Sequence, residues 1–381
     1  MARPVKPELT EKDIQGLKYL KPFQELLEPL LDIPCHGNRL YTMHNHVNLL
    51  LLSFFSPTIK SLRALQQAIG LKKVQEAFGV KPVSLGAMSE SASMVFDPRL
   101  LEPLIAELSR KAQLLPTNPK LDTLPWELTA TDGSFLRCLP KMAWALFRTQ
   151  SPKRGVKMHL QFDILRQAPT QVSVTKAMGS EKKELRKFLQ PNKLYVTDRG
   201  YVDYSLFQKI HEAQSFFVAR IKDNSSFQVN QDCPLTPEAQ AAGVLRDQKI
   251  ILGSAYTEGA LTAPVRRLEI QDPDRPESSI LLLTNTELDG EIIGLLYRYR
   301  WQVELFFRWF KCILKCTHWF NLTPSAVTLQ IYVAIIASLL IRLWTGRQPT
   351  RRTFEMICLY FQGWASAEEL AAHIEKLKKV D

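Results

Sequence analysis

The run "VKMHLQFDIL" (residues 156–165) alternates cleanly. Val156, Met158, Leu160, Phe162 and Ile164 fall on one side; Lys157, His159, Gln161 and Asp163 fall on the other. A period of two belongs to a β-strand with one face against a core. Its neighbours carry related patterns. "WELTATDGS" reads as a short strand ending at Asp132, with Gly133 permitting a turn. "TQVSVTK" reads as a third strand, "SEKKELRKFL" as a helix, and "KLYVTDRGY" as a fourth strand that stays apolar until Asp198. A helix, "DYSLFQKIHEA", and a fifth strand, "SFFVARIK", follow. This order predicts an α/β fold, a mixed sheet flanked by helices. Reactive groups in such sheets gather at strand ends, and Asp132 and Asp198 are both expected there.

Residues 1–115 have a different rhythm. "NHVNLLLLSFFSPTIKSLRALQQAIG" and "DPRLLEPLIAELSRKAQLL" place apolar residues three and four apart, which predicts helices. Between them, "KPVSLGAMSESASMVF" suits either a serine-capped helix or a loop on a DNA backbone. "PTNPKLDTLP" reads as a linker. The expected divisions are a helical domain over 1–115 and the first part of the α/β core over 116–222. A β-rich insertion over 223–290, the second part of the core over 291–345 and a helical region over 346–381 complete them. The insertion rests on "KIILGSAYT", "PVRRLEI" and "SILLLTN" within a stretch rich in Pro, Gly, Asn and Asp.

Composition narrows the class. Hydrophobic residues make up 45% and charged residues 23%, as in ordinary soluble proteins, but the net charge of +11 suits an anionic partner such as nucleic acid. Six scattered cysteines point to free thiols in a reducing cytoplasm. "CILKCTH" has a loosely metal-like spacing but lacks a second ligand pair, so core packing is the better reading of Cys312, Cys316 and His318. "IYVAIIASLLI" offers 11 residues before Arg342, too few for a bilayer span of about 20, and reads as a buried helix.

Residues 297–315, "YRYRWQVELFFRWFKCILK", read as one helix with five cations and a single acid, Glu304. At about 100° per residue, Tyr297, Arg300, Arg308, Lys311 and Lys315 fall within about 40° of Glu304, and most of the remaining circumference is apolar. One reading is a stripe of i,i+4 salt bridges, Glu304 pairing with Arg300 and Arg308. The other makes Glu304 a ligand for a hard cation, with its cationic neighbours gripping phosphates. Asp132 and Asp198 favour the second. Three carboxylates, two at strand ends and one on a later helix, can converge on two Mg²⁺ ions and support an in-line phosphoryl displacement. Asp163 and Asp203 are alternatives for the strand acids, and a turn or cap role is the competing reading of each acid.

The run Tyr297-x2-Arg300-x3-Glu304-x6-Lys311, together with "ATDGS" and "VTDRGY", resembles the DDE insertion-sequence transposases of the Y-x2-R-x3-E-x6-K type, over roughly residues 125–345. The resemblance implies a ribonuclease H-like core with a β-rich insertion between the second Asp and the Glu. It implies that Asp132, Asp198 and Glu304 bind two Mg²⁺ or Mn²⁺ ions. Tyr297, Arg300 and Lys311 would contact DNA phosphates near the transposon end. Trp301 would help hold distorted DNA, with helix packing as its competing reading. The implied partners are double-stranded DNA, terminal inverted repeats and target DNA, with a homodimer at synapsis, no membrane and a cytoplasmic, nucleoid-associated setting.

Basic residues elsewhere fit that reading. Arg137, Lys141, Arg148, Lys153, Arg154 and Lys157 follow Asp132 with no acid among residues 134–157, and Trp144 and Phe147 are interleaved. Arg342, Arg347, Arg351 and Arg352 form a second group. Such residues supply affinity and salt dependence rather than sequence choice. A tyrosine recombinase is excluded because the only H-x-x-R, His36–Arg39, lies far too early. No H-E-x-x-H and no G-x-x-x-x-G-K-[ST] is present. A metal-dependent nuclease and a catalytically silent DNA-binding regulator on the same scaffold stay open.

Overall fold

The computed structural model describes residues 25–115, 117–145, 154–253, 261–272, 275–314, 319–348 and 350–378. The chain forms two compact units. One comprises Met1–Gln113, Arg137–Trp144 and Arg308–Asp381; the other comprises Leu114–Leu136 and Ala145–Phe307.

The first unit is helical. Its leading helices are α1 (Met43–Phe55), α2 (Leu62–Ile69), α3 (Lys72–Phe78), α4 (Leu85–Glu90) and α5 (Glu102–Lys111). Polar caps start three of them. Thr42 and Asn45 form a reciprocal capping box on α1, and Ser61 and Ser84 accept N–H bonds at the starts of α2 and α4. The serine-rich stretch around α4 is therefore helical, continuing into a wider π turn at Ser91–Val95.

The second unit opens with α6 (Pro119–Asp122) and β1 (Glu127–Arg137), then β2 (Gly155–Asp163) and β3 (Ala168–Lys176). It continues through α7 (Glu181–Lys187), β4 (Lys193–Thr197), α8 (Tyr204–Glu212) and β5 (Phe216–Arg220). After these come β6 (Phe227–Asp232), α9 (Pro237–Ala241), β7 (Val244–Leu252), β8 (Val265–Asp272) and β9 (Arg275–Thr284). The helices α10 (Gly290–Tyr299) and α11 (Trp301–Leu314) follow, with the last turns of α11 belonging to the first unit. That unit then adds α12 (Pro324–Thr345), α13 (Arg351–Phe361) and α14 (Ala367–Lys378).

All nine strands join one sheet in the order β3-β2-β1-β4-β5-β9-β8-β7-β6. β1, β4 and β5 run parallel, while β2 with β3 and every pair from β5–β9 onward are antiparallel. Strands β6 to β9 come from the stretch expected as a β-rich insertion. They extend the sheet, because β9 pairs with β5 (Ala219↔Leu283) and so covers what would otherwise be an open edge. Within this extension, Arg266 and Asp247 form a buried two-pronged ion pair, and the Arg266 Nη1 also donates to the carbonyls of Leu288 (2.8 Å) and Thr286 (3.2 Å).

Helices α7 and α8 bury Leu185, Leu206, Phe207 and Ile210 with Tyr195, Phe217, Ala219 and Leu283 of the sheet. This layer changes the reading of β2. Its polar side is not solvated: His159 and Gln161 are buried and bond to Thr175 Oγ1 (2.8 Å) and the Phe188 carbonyl (3.3 Å). α12 is long and apolar enough to cross a membrane, yet 89% of its apolar stretch is buried inside the protein. Arg342 on α12 is 2% exposed and donates to the Gln113 carbonyl at 2.7 Å, which removes it from the expected DNA-facing group.

Candidate active site

Parallel pairing sets two carboxylates side by side. β1 and β4 match Ala130 with Val196, so two residues further along each strand stand Asp132 and Asp198. Adjacent strands lie about 4.8 Å apart, and both side chains have the parity of that last pair. Asp198 follows the final residue of β4 and accepts the Gly200 N–H at 2.8 Å, fixing a tight turn. Asp132 does not end its strand as expected. β1 runs on to Arg137, and Asp132 sits where the pairing with β4 has stopped.

The helix bearing the third acid also differs from the expected single rod. α10 ends at Tyr299 and α11 begins at Trp301, with the Arg300 N–H turning back to the Tyr297 carbonyl at 3.2 Å. That shorter i→i−3 bond tightens the turn. It leaves Arg300 buried while Trp301 is 50% exposed and Leu305 44% exposed, so the solvent-facing stripe is shifted from the one projected.

Arg300 ties the carboxylates together. Its Nη2 donates to Glu304 Oε1 at 2.6 Å, and its Nη1 stands 3.7 Å from Asp132 Oδ2. One guanidinium thus separates Asp132 from Glu304, with the Tyr297 ring 5.6 Å away. This is the Arg300 arm of the expected salt-bridge stripe. Burial alone would loosen the Arg300 proton, but Tyr297, Glu304 and Asp132 outweigh it and hold its pKa above the usual value. Among the described residues, Nε and Nη1 of Arg300 are buried donors with no hydrogen-bond partner. Burial pushes the Asp132 carboxyl up to about 6; the Gly133 amide and Arg300 oppose the shift, and Asp198 and Glu181 add to it.

Glu181 was not among the expected residues. It is the first residue of α7, and its Oε1 holds Lys157 Nζ at 2.6 Å. A methyl group placed on Gly133 would stand 2.7 Å from Glu181 Oε1, and one on Gly200 would stand 2.8 Å from Oε2 and 3.0 Å from Asp198 Oδ1. The Glu181 carboxylate therefore lies close to Gly133 on β1 and to Gly200 in the turn after Asp198. In sequence it looks like an ordinary acid in a first helical turn, and only the two glycines beside the aspartates hinted at something pressing close.

The other sequence candidates have settled positions. Asp163 bonds Arg166 at 2.9 Å, and Asp203 caps α8 and pairs with Arg186, so both have structural work. Lys157, expected in a DNA-facing basic run, is engaged by Glu181. Trp144, expected to interleave with DNA, donates its indole N–H to the Leu322 carbonyl at 2.6 Å. Arg308 and Lys311 are exposed on the later turns of α11. Lys315, Cys316, His318, Arg148 and Lys153 lie outside the described residues. Tyr297, Arg298, Arg300 and Trp301 line a groove of about 680 Å³ together with Arg220, beside β8 and β9.

A family model described as a transposase DDE domain matches residues 127–340. The chain belongs to the DDE transposase family. A putative transposase of Sinorhizobium fredii (strain NBRC 101917 / NGR234) is 33% identical over 193 residues, covering 50% of this chain and 53% of that protein. A probable transposase for an insertion sequence element of Geobacillus stearothermophilus is 26% identical over 257 residues, 67% of this chain and 64% of that protein. A putative insertion-sequence transposase of Synechocystis (strain PCC 6803) is 23% identical over 227 residues, 57% and 60% respectively. The alignments span 53% to 64% of the length of these relatives. Among solved structures, the piggyBac transposase synaptic complex with hairpin DNA aligns with 96% of this chain and 84% of its own, at TM-score 0.40 and 12% identity. Asp132, Glu181, Asp198 and Glu304 all fall inside the matched DDE domain.

Proposed function

We propose that this chain is a DNA transposase that cleaves transposon ends and joins the freed 3′-OH to target DNA by two-metal phosphoryl transfer. The observation that carries this reading is the parallel register that puts Asp132 on β1 and Asp198 just past the end of the neighbouring β4, with Glu304 reached from Asp132 across a single guanidinium. The strand order 3-2-1-4-5 in the first half of the sheet supports a ribonuclease H-like core, to which β6–β9 are an extension.

The donor set fits a hard divalent cation. It consists of carboxylate oxygens, with no thiolate or imidazole among them. Among the described residues, no three His, Cys, Asp or Glu side chains are gathered at ligand distance, and Arg300 stands between Asp132 and Glu304. Asp132, Asp198 and Glu304 would hold Mg²⁺ or Mn²⁺ once Arg300 turns towards a phosphate. Bound there, such ions would activate the attacking oxygen and stabilise the leaving one.

The remaining roles belong to the chain itself. Arg300 has two buried donors to spare, the pattern that suits forked binding of phosphate oxygens. Tyr297, exposed Lys311 and exposed Arg308 would extend that grip along the backbone, as would Lys315. Trp301, half exposed at the mouth of the groove, would stack on distorted DNA rather than pack internally. The same reading places the protein on double-stranded DNA as a homodimer, in a bacterial cytoplasm near the nucleoid.

Incubation with Mg²⁺ and DNA carrying candidate terminal inverted repeats tests the proposal. Excision with joining is the expected result. Cutting without joining would make the protein a nuclease, and binding alone would make it a regulator. Glu304→Ala should abolish cutting, and intact cleavage in that variant would remove Glu304 from the site.

A further inference from the structure

We infer that the polar gap beneath α7 is a binding site for one buried water molecule. The water donates to His159 Nδ1 and to Gln161 Oε1, accepts from the Thr131 hydroxyl, and so links β2 to β1 one residue before Asp132.

Three side chains, each more than nine-tenths buried, call for it. Among the described residues, Thr131 Oγ1, His159 Nδ1 and Gln161 Oε1 are buried polar atoms with no hydrogen-bond partner. Buried polar groups are almost always bonded, to protein or to ordered water. The same three residues line one cavity of about 20 Å³, with Ser173, Glu184 and Tyr201 also on its wall. That is room for a single water, which needs about 10–15 Å³.

The direction of each bond follows from the neighbours. Thr175 gives its hydroxyl hydrogen to the Lys176 carbonyl at 3.1 Å, so its oxygen must accept from His159 Nε2, 2.8 Å away. His159 therefore carries its hydrogen on Nε2. Burial pulls its pKa down to about 4, which keeps the ring neutral at neutral pH and leaves Nδ1 an acceptor. Gln161 gives its amide N–H to the Phe188 carbonyl at 3.3 Å, and its Oε1 can only accept. Two acceptors cannot bond each other, and the Thr131 hydroxyl, with one hydrogen, bonds neither. A molecule with two hydrogens to give and a lone pair to receive satisfies all three atoms at once, and water is that molecule.

The site also explains how α7 sits on the sheet. Its buried residues are Glu184 and Leu185, and Glu184 accepts from Ser173 Oγ at 3.1 Å on β3. Polar contacts therefore carry much of this helix, and the water extends them across β2 to β1.

A high-resolution crystal structure of the full chain should show one water within hydrogen-bond distance of all three atoms. Nitrogen-15 spectra of histidine-labelled protein at neutral pH should show His159 as the Nε2–H tautomer, its resonance assigned by its loss in His159→Gln. Thr131→Val removes only the hydroxyl and keeps the shape. With water bound, that variant loses a hydrogen bond, and its unfolding constant from urea titration should rise about fivefold. In a dry cavity the same change removes an unmet hydroxyl and leaves the protein as stable or more so. An empty cavity in the crystal, an Nδ1–H tautomer, or a Thr131→Val protein at least as stable as wild type would each overturn the inference.

Discussion

Replacing Gly133 by alanine puts a methyl group 2.7 Å from Glu181 Oε1, 2.8 Å from Lys157 Cε and 3.3 Å from Glu181 Cγ. The backbone there is extended β1, so alanine brings no conformational strain of its own. It would even stiffen the unfolded chain, a gain of about 0.4–1 kcal/mol. Against this stands overlap with the ends of two flexible side chains, Glu181 and Lys157, which must give way and disturb their ion pair at a cost of about 1–1.5 kcal/mol. The net expectation is a loss of up to about 1 kcal/mol. In a Glu181→Ala background the obstacle is gone and Lys157 is released, so the same substitution should become neutral or stabilising by about 0.5 kcal/mol. The coupling between the two positions is then about 1 kcal/mol, inside the range for residues in direct contact. Urea midpoints of the four proteins at a common slope measure it. Additive effects, or an equal loss in both backgrounds, would refute the view that Gly133 exists to admit Glu181.

Arg266→Met should destabilise the protein by about 3–5 kcal/mol by leaving Asp247 charged and buried, while the double change Arg266→Met, Asp247→Leu should restore most of it in thermal unfolding. His46 is buried with its Nδ1 2.9 Å from the Tyr41 hydroxyl, and burial pulls its imidazole down to about 4. The unfolded chain therefore takes up the extra proton between about pH 6.5 and 4, so stability falls as pH drops, by on the order of 2 kcal/mol at pH 5. His46→Phe should flatten the pH dependence of the urea midpoint, leaving the part due to His159, whose pKa burial lowers in the same way. Lys311→Ala should weaken DNA binding and reduce its salt slope by about one while the melting temperature holds. A collapse of the fold would instead make this exposed lysine structural.

Much of the second unit was legible in one dimension. The alternation from Val156 to Ile164 and the apolar runs ending near Asp132 and Asp198 predicted β2, β1 and β4, since strand periodicity is a local property of the chain. The helices between them were equally plain. The burial of the polar side of β2 is not legible in the same way, because nothing local to His159 and Gln161 says that α7 will cover them. The break at Arg300 was invisible for a similar reason. Every residue from Tyr297 to Lys315 suits a helix, and the tightening appears only as a hydrogen bond to Tyr297.

Local patterning specified the parts: five strands in order, two acids each followed closely by a glycine, and a third acid among cations on a helix. Those follow from periodicity and from the chemistry of short motifs. Tertiary structure alone decided the assembly. It drew β6–β9 into the same sheet through β5, made Arg300 the bridge between Asp132 and Glu304, and brought Glu181 close to both Gly133 and Gly200. Each of these joins residues tens of positions apart or depends on how a side chain is buried, and neither is encoded in local spacing.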